Sequence, residues 1–310
     1  MMKKNLPLLF FSFIILNIFC WLSITALSCE KHAKHKHFNH KAVIKELLNL
    51  TGVVCNEEAG DITSCTKQWM RPENKERWEI RDAENESILK NKDRIITLLN
   101  ELKIYDAIDA KNSQYDYGVV LGANANAMRI RLAHLAKQID QGVEIKQVVF
   151  LVSQRPRFEN IETEEMLFDE NNLYLPLKKG WVKPKKTPAT ETEIAKFLFE
   201  QSDLPEKLQS LPVIFVDTPG KGGLPATVKR ASTSDTVIAW MKSNPKSGTI
   251  LAISNPPYIG YQHAVLKKYL NPGFECETIG APKVDPDKIS IRVVLDSIAK
   301  NIENDPSFLS

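Results

Sequence analysis

Residues 117–139 read YGVVLGANANAMRIRLAHLAKQI, and this stretch decides the fold class. The first six residues, 117–122, are apolar or glycine without polar alternation, which is typical of a strand buried on both faces. Apolar side chains then recur at helical spacing over residues 128–139. A buried strand followed at once by a helix predicts the first unit of a parallel α/β sheet.

The same alternation continues to the end of the chain. Further strands are predicted at 146–153, 212–217, 248–254 and 274–281, and further helices at 191–201, 233–243, 261–270 and 287–302. The sequence therefore predicts an α/β domain over residues 115–310, with a doubly wound parallel sheet in a Rossmann-like three-layer arrangement. Within it, residues 154–189 form a charged, proline-rich insertion of a length typical of a lid, a binding loop or a disordered connection.

A helical N-terminal subdomain is predicted to precede this domain, over residues 41–112. It begins with AVIKELLNL at 42–50, an amphipathic pattern, and SILKNKDRIITLLNELKI at 87–104 carries a broad apolar stripe.

The first 28 residues have the pattern of an export signal. Lys3 and Lys4 precede an almost unbroken apolar run from Leu6 to Leu27, which is typical of a cleaved signal peptide or of an uncleaved membrane anchor. The tetrapeptide ending at Cys29 also resembles a lipobox, so a lipoprotein is a third alternative. We expect the chain to be exported, either periplasmic or anchored on the outer side of the inner membrane.

Cysteine usage agrees with export. Cys55 and Cys65 flank a short loop of the size that a disulfide closes, and an oxidising compartment would permit that bond. The alternative is a pair of free buried thiols. No CxxC pair is present, so neither a zinc ribbon nor a thioredoxin-like site is indicated.

Residues 29–40 form a tether rich in histidine and lysine. Its histidines, His32, His35, His37 and His40, are candidate ligands for zinc, copper or nickel. The alternative is a solvated basic spacer, since the interleaved lysines repel a metal cation and suit anionic lipid.

Composition excludes several classes of function. The 310 residues are 43% apolar and 25% charged, an ordinary globular composition. Two of the three net positive charges come from Lys3 and Lys4, so the remainder is almost neutral and a nucleic-acid partner is not expected. The GxxxxGK[ST], GxGxxG, GxSxG and HExxH patterns are all missing, and no cofactor is indicated.

Polar and glycine residues follow the predicted strands, where ligands bind in parallel sheets. They predict a site for a small anionic or phosphate-bearing ligand, with Arg129 and Arg155 supplying charge. The candidate binding residues are Gly122, Asn124, Arg129, Ser153, Gln154, Arg155, Thr233, Ser254, Asn255 and Tyr258. Asp235 and Glu191 are the candidate acid–base carboxylates, with helix capping as the alternative role for such residues.

Several of these residues also carry a resemblance to a known family. They are Leu121-Gly122, Arg131-Leu132-Ala133, Ser153-Gln154-Arg155, the run 190–193 and the run 233–236. In this order they resemble the bacterial YdcF/SanA/ElyC family of domains, which are often exported or membrane-tethered and are poorly defined in function. The family has a histidine and an arginine after its fourth strand, and Tyr258 and Tyr261 occupy those positions here. The resemblance implies the fold and a role in the cell envelope, but it does not carry an activity across.

Three functional hypotheses follow. The first is an envelope enzyme acting on a phosphate-bearing or glycan-precursor substrate, and the second is a binding protein that has kept only the cleft. The third is an adaptor that contacts protein partners. We expect a small-molecule site on an enzyme-derived fold, with the membrane as the other partner.

Overall fold

The computed structural model describes residues 39–55, 61–73, 75–81, 84–227 and 229–310. The predicted signal or anchor, the lipobox cysteine and His32, His35 and His37 therefore lie outside the described residues. Within the described part of the chain, no helix is both long enough and apolar enough to cross a bilayer.

The described residues form five strands and eleven α-helices. The strands are β1 (Gln114–Leu121), β2 (Glu144–Ser153), β3 (Val213–Thr218), β4 (Thr249–Ser254) and β5 (Glu275–Gly280). The helices are α1 (His40–Leu50), α2 (Ile62–Thr66), α3 (Glu86–Lys90), α4 (Lys92–Glu101), α5 (Ala125–Asp140), α6 (Glu164–Leu167), α7 (Glu191–Gln201), α8 (Glu206–Gln209), α9 (Thr233–Lys242), α10 (Ile259–Tyr269) and α11 (Ile291–Asn304). Short 3₁₀ helices cover Lys67–Trp69, Arg77–Ile80, Lys221–Gly223, Pro286–Lys288 and Pro306–Leu309.

The five strands form one parallel sheet in the order β3-β2-β1-β4-β5. Val119 in the middle of β1 pairs with Val149 of β2 on one side and with Ala252 of β4 on the other. After β1, the strands β2 and β3 are added one after the other on the same side. The chain then returns to the other side of β1 to form β4 and β5. The strand order thus reverses between β1 and β4, which is where such sheets bind ligands. The prediction of a five-stranded parallel α/β sheet is confirmed.

Helices cover both faces of the sheet. On one face, α5 and α7 pack Leu132 and Leu198 against Phe150 of β2. On the other face, α9 packs Trp240 in a cluster with Val149 and Leu266 of α10. Because every central strand is buried on both faces, its side chains are apolar without alternation. The three-layer Rossmann-like arrangement follows from this double coverage.

The N-terminal helices share a third apolar cluster with the last long helix. Ile44 of α1 and Leu99 of α4 pack in the same cluster as Ile298 of α11, and all three side chains are fully buried. A disulfide joins Cys55 to Cys65 with their Cα atoms 5.7 Å apart, as predicted.

The insertion at 154–189 packs along its length on the sheet domain. Leu167, Leu175 and Leu177 are buried in the cluster formed by α5 and α7. The buried guanidinium of Arg129 donates to the carbonyl oxygens of Leu167 and Leu175. Apolar burial and these hydrogen bonds hold the insertion against the sheet domain.

Candidate functional site

A cleft of about 1630 Å³ opens at the carboxyl ends of the strands. Gly122 after β1, Ser153 at the end of β2 and Tyr258 after β4 all line it. Its position is therefore the one that the reversal of strand order between β1 and β4 predicts.

A second wall comes from the N-terminal part of the chain, from residues 70–73 and 75–81, which we name the cover segment. Trp78 packs edge-on against Phe158, which follows β2, with ring centroids 4.6 Å apart. The carboxylate of Glu76 lies 2.9 Å from the guanidinium of Arg230, in the connection after β3. The cover segment thus contacts chain segments that follow two different strands.

The lining of the cleft is strongly basic. Thirteen lysine and arginine side chains line it, against six aspartate and glutamate side chains, among the residues that the structure describes. This excess contrasts with the near neutrality of the sequence after the first 28 residues. Positive charge is concentrated in the cleft, which favours an anionic ligand.

Gly122 allows a close approach at the floor of the cleft. A Cβ atom there would lie 2.7 Å from the carbonyl oxygen of Leu151 and 2.8 Å from Oε1 of Glu191. Such contacts are too short for any larger residue unless the neighbours move. Next to it, Asn124 caps α5, since its Oδ1 accepts a hydrogen bond from the backbone N–H of Ala127.

Glu191, the first residue of α7, is buried and lines the cleft. Its Oε2 accepts hydrogen bonds from the backbone N–H and the hydroxyl of Ser153, at 3.1 and 2.5 Å. Its Oε1 lies 4.0 Å from the Arg155 guanidinium. Burial raises the pKa of Glu191, and the charge of Arg155 opposes that rise. A buried carboxyl with a raised pKa in a cleft is typical of an acid–base group.

Arg155 forms a buried ion pair with Glu162 of the insertion. The two terminal nitrogens of Arg155 donate to the two carboxylate oxygens of Glu162 at 2.9 and 3.1 Å. Glu162 is fully buried and also accepts from the backbone N–H groups of Ala125 and Phe158. The pair therefore joins the end of β2, the start of α5 and the insertion.

Arg131 of α5 is buried beside the reversal point without a carboxylate in salt-bridge contact. It donates to the carbonyl oxygens of Leu121 and Gly122 and to Oδ1 of Asn255. Burial lowers the pKa of Arg131 to about 10. It remains a cation at neutral pH and lines the cleft.

Arg77 of the cover segment lies over two tyrosines and beside a buried aspartate. Its guanidinium carbon is 4.5 Å from the ring centre of Tyr258 and 5.6 Å from that of Tyr261. Its Nε donates to Oδ2 of Asp296 at 3.2 Å. Asp296, on α11, also accepts from the backbone N–H of Arg71 and from Lys300. Burial, reinforced by the charge of Arg77, lowers the pKa of Lys300 to about 8.

Part of the predicted site is brought together. The predicted residues that line the cleft are Gly122, Asn124, Ser153, Arg155, Glu191, Thr233 and Tyr258. The other five occupy supporting positions outside its lining. Gln154 donates to Asp217, the hydroxyl of Ser254 donates to Gln262, and Asn255 accepts from Arg131. Arg129 is directed to the insertion, and Asp235 completes the capping box of α9 with Ser232.

Sequence reasoning missed Arg77, Arg131, Glu162 and Arg230 as parts of the site. Arg131 could have been recognised from the sequence. It lies two residues after Arg129 in the same predicted helix, so the two side chains leave the helix on different sides. Arg77 and Glu162 could not have been recognised, since they reach the cleft through contacts between segments far apart in sequence.

The structure offers no support for a metal centre within its described ranges. No group of three or more His, Cys, Asp or Glu side chains is placed there to hold a metal ion. His40 packs its ring against Phe308, with centroids 4.9 Å apart.

No protein-family model matches the chain, and no curated protein matches it.

We predict that Glu162→Gln strongly destabilises the protein. The substitution removes the carboxylate that pairs with the buried Arg155 through two hydrogen bonds, leaves only Glu191 at 4.0 Å among the described carboxylates, and places an amide NH₂ group among hydrogen-bond donors. Breaking a buried pair in this way costs about 3–5 kcal/mol in the free energy of unfolding. The matched control is Glu159→Gln in the same insertion, whose carboxylate is 86% exposed, with an expected change of about 0.5 kcal/mol or less. Urea unfolding of both variants checks this, and equal stabilities would contradict it.

A second prediction concerns the pH dependence of stability. Because burial raises the pKa of Glu191, its contribution to folding is fully present below its unfolded pKa and is lost as pH rises through the folded value. The free energy of unfolding of the wild type relative to Glu191→Gln should therefore fall between acidic and neutral pH. Glu193→Gln, an exposed position on the same helix, should track the wild type. Parallel curves for all three proteins would show that Glu191 titrates normally.

Proposed function

We propose that the chain binds a small phosphate-bearing molecule in the cleft at the carboxyl ends of β1, β2 and β4. The observation that carries this proposal is the excess of basic over acidic side chains in the cleft lining, thirteen against six. Guanidinium groups match the oxygens of phosphate in both charge and geometry.

The shape of the site supports the same class of ligand. Phosphate groups commonly bind where a parallel strand ends and the next helix begins, because the positive end of the helix dipole lies there. The α5 helix begins at the cleft, directly after Gly122 and Asn124. At about 1630 Å³ the cleft exceeds the volume that a drug-sized ligand needs. It has room for a ligand much larger than inorganic phosphate.

The proposal extends to the cell envelope. The apolar N-terminal run predicts export, and the Cys55–Cys65 disulfide agrees with an oxidising compartment. The proposed setting is thus the outer side of a bacterial inner membrane, to which the N-terminal segment attaches the chain. The resemblance to the YdcF/SanA/ElyC family supports this setting and is itself part of the proposal.

Thermal unfolding of the full chain against a panel of phosphorylated compounds tests the proposal. The panel comprises sugar phosphates, nucleotides and short lipid-carrier phosphates. At about 100 times its dissociation constant, a bound compound adds about 2.7 kcal/mol and raises Tm by a few degrees. We expect Arg230→Gln to reduce that shift, because it removes a cation from the cleft and leaves Glu76 unpaired.

The matched control is Lys207→Gln. Lys207 is exposed on α8 and does not line the cleft, so the substitution removes the same charge elsewhere. Its Tm shift should equal that of the wild type. A panel in which no phosphorylated compound raises Tm would contradict the proposed function.

A second candidate function is acid–base catalysis on the bound ligand, favoured by the environment of Glu191. One of its oxygens is held by Ser153 while the carboxyl lines the cleft. In this role Glu191 exchanges a proton with the substrate, and a raised pKa suits that task at neutral pH. Glu191→Gln should then retain the ligand-induced Tm shift and lose release of phosphate from the bound compound. Retained turnover in this variant would leave binding alone as the function.

A further inference from the structure

Four arginines converge on the cleft from three separate parts of the chain, and we name them the arginine cluster: Arg71, Arg77, Arg131 and Arg230. The first two belong to the cover segment, Arg131 belongs to α5, and Arg230 precedes α9. Their charges act on one another, because Arg77 lowers the pKa of both Arg131 and Arg230, in each case in addition to the effect of burial.

Within the cluster, Arg77 is held in a geometry that leaves its donors available. Asp296 accepts a hydrogen bond from only one nitrogen of Arg77, its Nε. The rings of Tyr258 and Tyr261 pack against the guanidinium group. Neither terminal nitrogen of Arg77 has a hydrogen-bond partner among the described residues. A guanidinium fixed in this way, with free terminal N–H groups, is prepared for an oxyanion.

The surrounding charge balance indicates how much negative charge the ligand brings. Lys300 joins the four arginines as a fifth cation at the cleft. The carboxylates that face these five groups are Glu76, Asp296 and Glu191. Among the residues that the structure describes, two of the five cations are thus left without a facing carboxylate. In addition, Nε of Arg71 is buried without a hydrogen-bond partner, which is costly unless a ligand supplies an acceptor.

We infer that the arginine cluster binds the dianionic head of a phosphate monoester, and that Arg77 is one of its direct ligands. This inference rests on the proposed function and narrows it to terminal phosphate groups. A monoester carries close to two negative charges at pH 7 and presents three oxygens. A phosphodiester carries a single charge and compensates the cluster only in part.

Calorimetric titration of the full chain at pH 7.5 tests this inference with two matched probes. Phenyl phosphate is the monoester, and methyl phenyl phosphate is its monoanionic diester. We expect the wild type to bind the monoester about tenfold more tightly or better, since a charge-assisted hydrogen bond is worth that much. Arg77→Gln should weaken monoester binding by about tenfold and largely abolish the preference.

Arg94→Gln is the matched control, because Arg94 is exposed on α4, pairs there with Glu46 and lies outside the cleft lining. Its monoester affinity should change by about twofold or less, as expected for an exposed charge. Arg77→Gln should still fold, because Lys300 continues to compensate Asp296. Glu76→Gln tests the same inference without touching Arg77, and the loss of a carboxylate beside Arg230 should tighten monoester binding.

A second set of binding measurements, with lipid vesicles, distinguishes a lipid source of the monoester from a soluble one. Phosphatidylcholine vesicles containing phosphatidic acid present the same phosphate head on a lipid, and vesicles containing phosphatidylglycerol present a diester. Arg77-dependent binding to the phosphatidic acid vesicles or to phenyl phosphate supports the inference, and the tighter of the two identifies a lipid or a soluble source.

Failure of this inference can be distinguished from failure of the proposed function. If no phosphorylated compound binds the wild type, the proposed function itself is contradicted. If the wild type binds phosphorylated compounds but monoester and diester bind equally, the dianion assignment is wrong. If Arg77→Gln and Arg94→Gln lose affinity equally, Arg77 is not a direct ligand.

Discussion

The cleft depends on one buried carboxylate, that of Asp296. It has no solvent-exposed surface. It accepts hydrogen bonds from the backbone N–H of Arg71, the guanidinium of Arg77 and the ammonium of Lys300. Burial alone raises the pKa of an aspartate, but the cations around Asp296 bring its pKa below the ordinary value. The carboxylate is therefore ionised, and its charge holds the cover segment on α11. Without it, Arg77 and Lys300 would be left as neighbouring buried cations that repel each other.

A second buried ion pair performs a comparable task at the sheet edge. Glu162 and Arg155 compensate each other's charge and fix the start of α5 through the N–H of Ala125. The hydrogen-bond donors of Arg155 are thus largely used in contacts within the fold. Arg77 and Arg131 line the cleft and keep donors without a partner among the described residues. Arg155 and Arg77 differ in that a carboxylate matches the guanidinium of Arg155 in both charge and geometry, whereas Asp296 contacts Arg77 only at Nε.

The fold was predictable because it follows from local patterns. The central strands β1, β2 and β4 contain apolar runs without alternation, and burial on both faces requires such runs. The site was only partly predictable. Residues that directly follow strands, such as Gly122 and Ser153, are placed by topology alone. Arg77 reaches Tyr258 only because α1 and α4 pack on α11, and pairing over such a distance leaves no periodic signal. Of the two arginines in α5, helix phase directs Arg129 to the insertion and Arg131 to the cleft.

The distance along the chain between the two walls has a consequence for biogenesis. Arg77 and Asp296 are separated by 219 positions, so the carboxylate that compensates the cover segment is synthesised long after the segment itself. Until α11 arrives, the backbone of Arg71 and the guanidinium of Arg77 lack the carboxylate that holds them, and the cover segment contacts the sheet domain only through groups such as Phe158 and Arg230. Any product that ends before Asp296 would retain most of the sheet and lack the means to close the site.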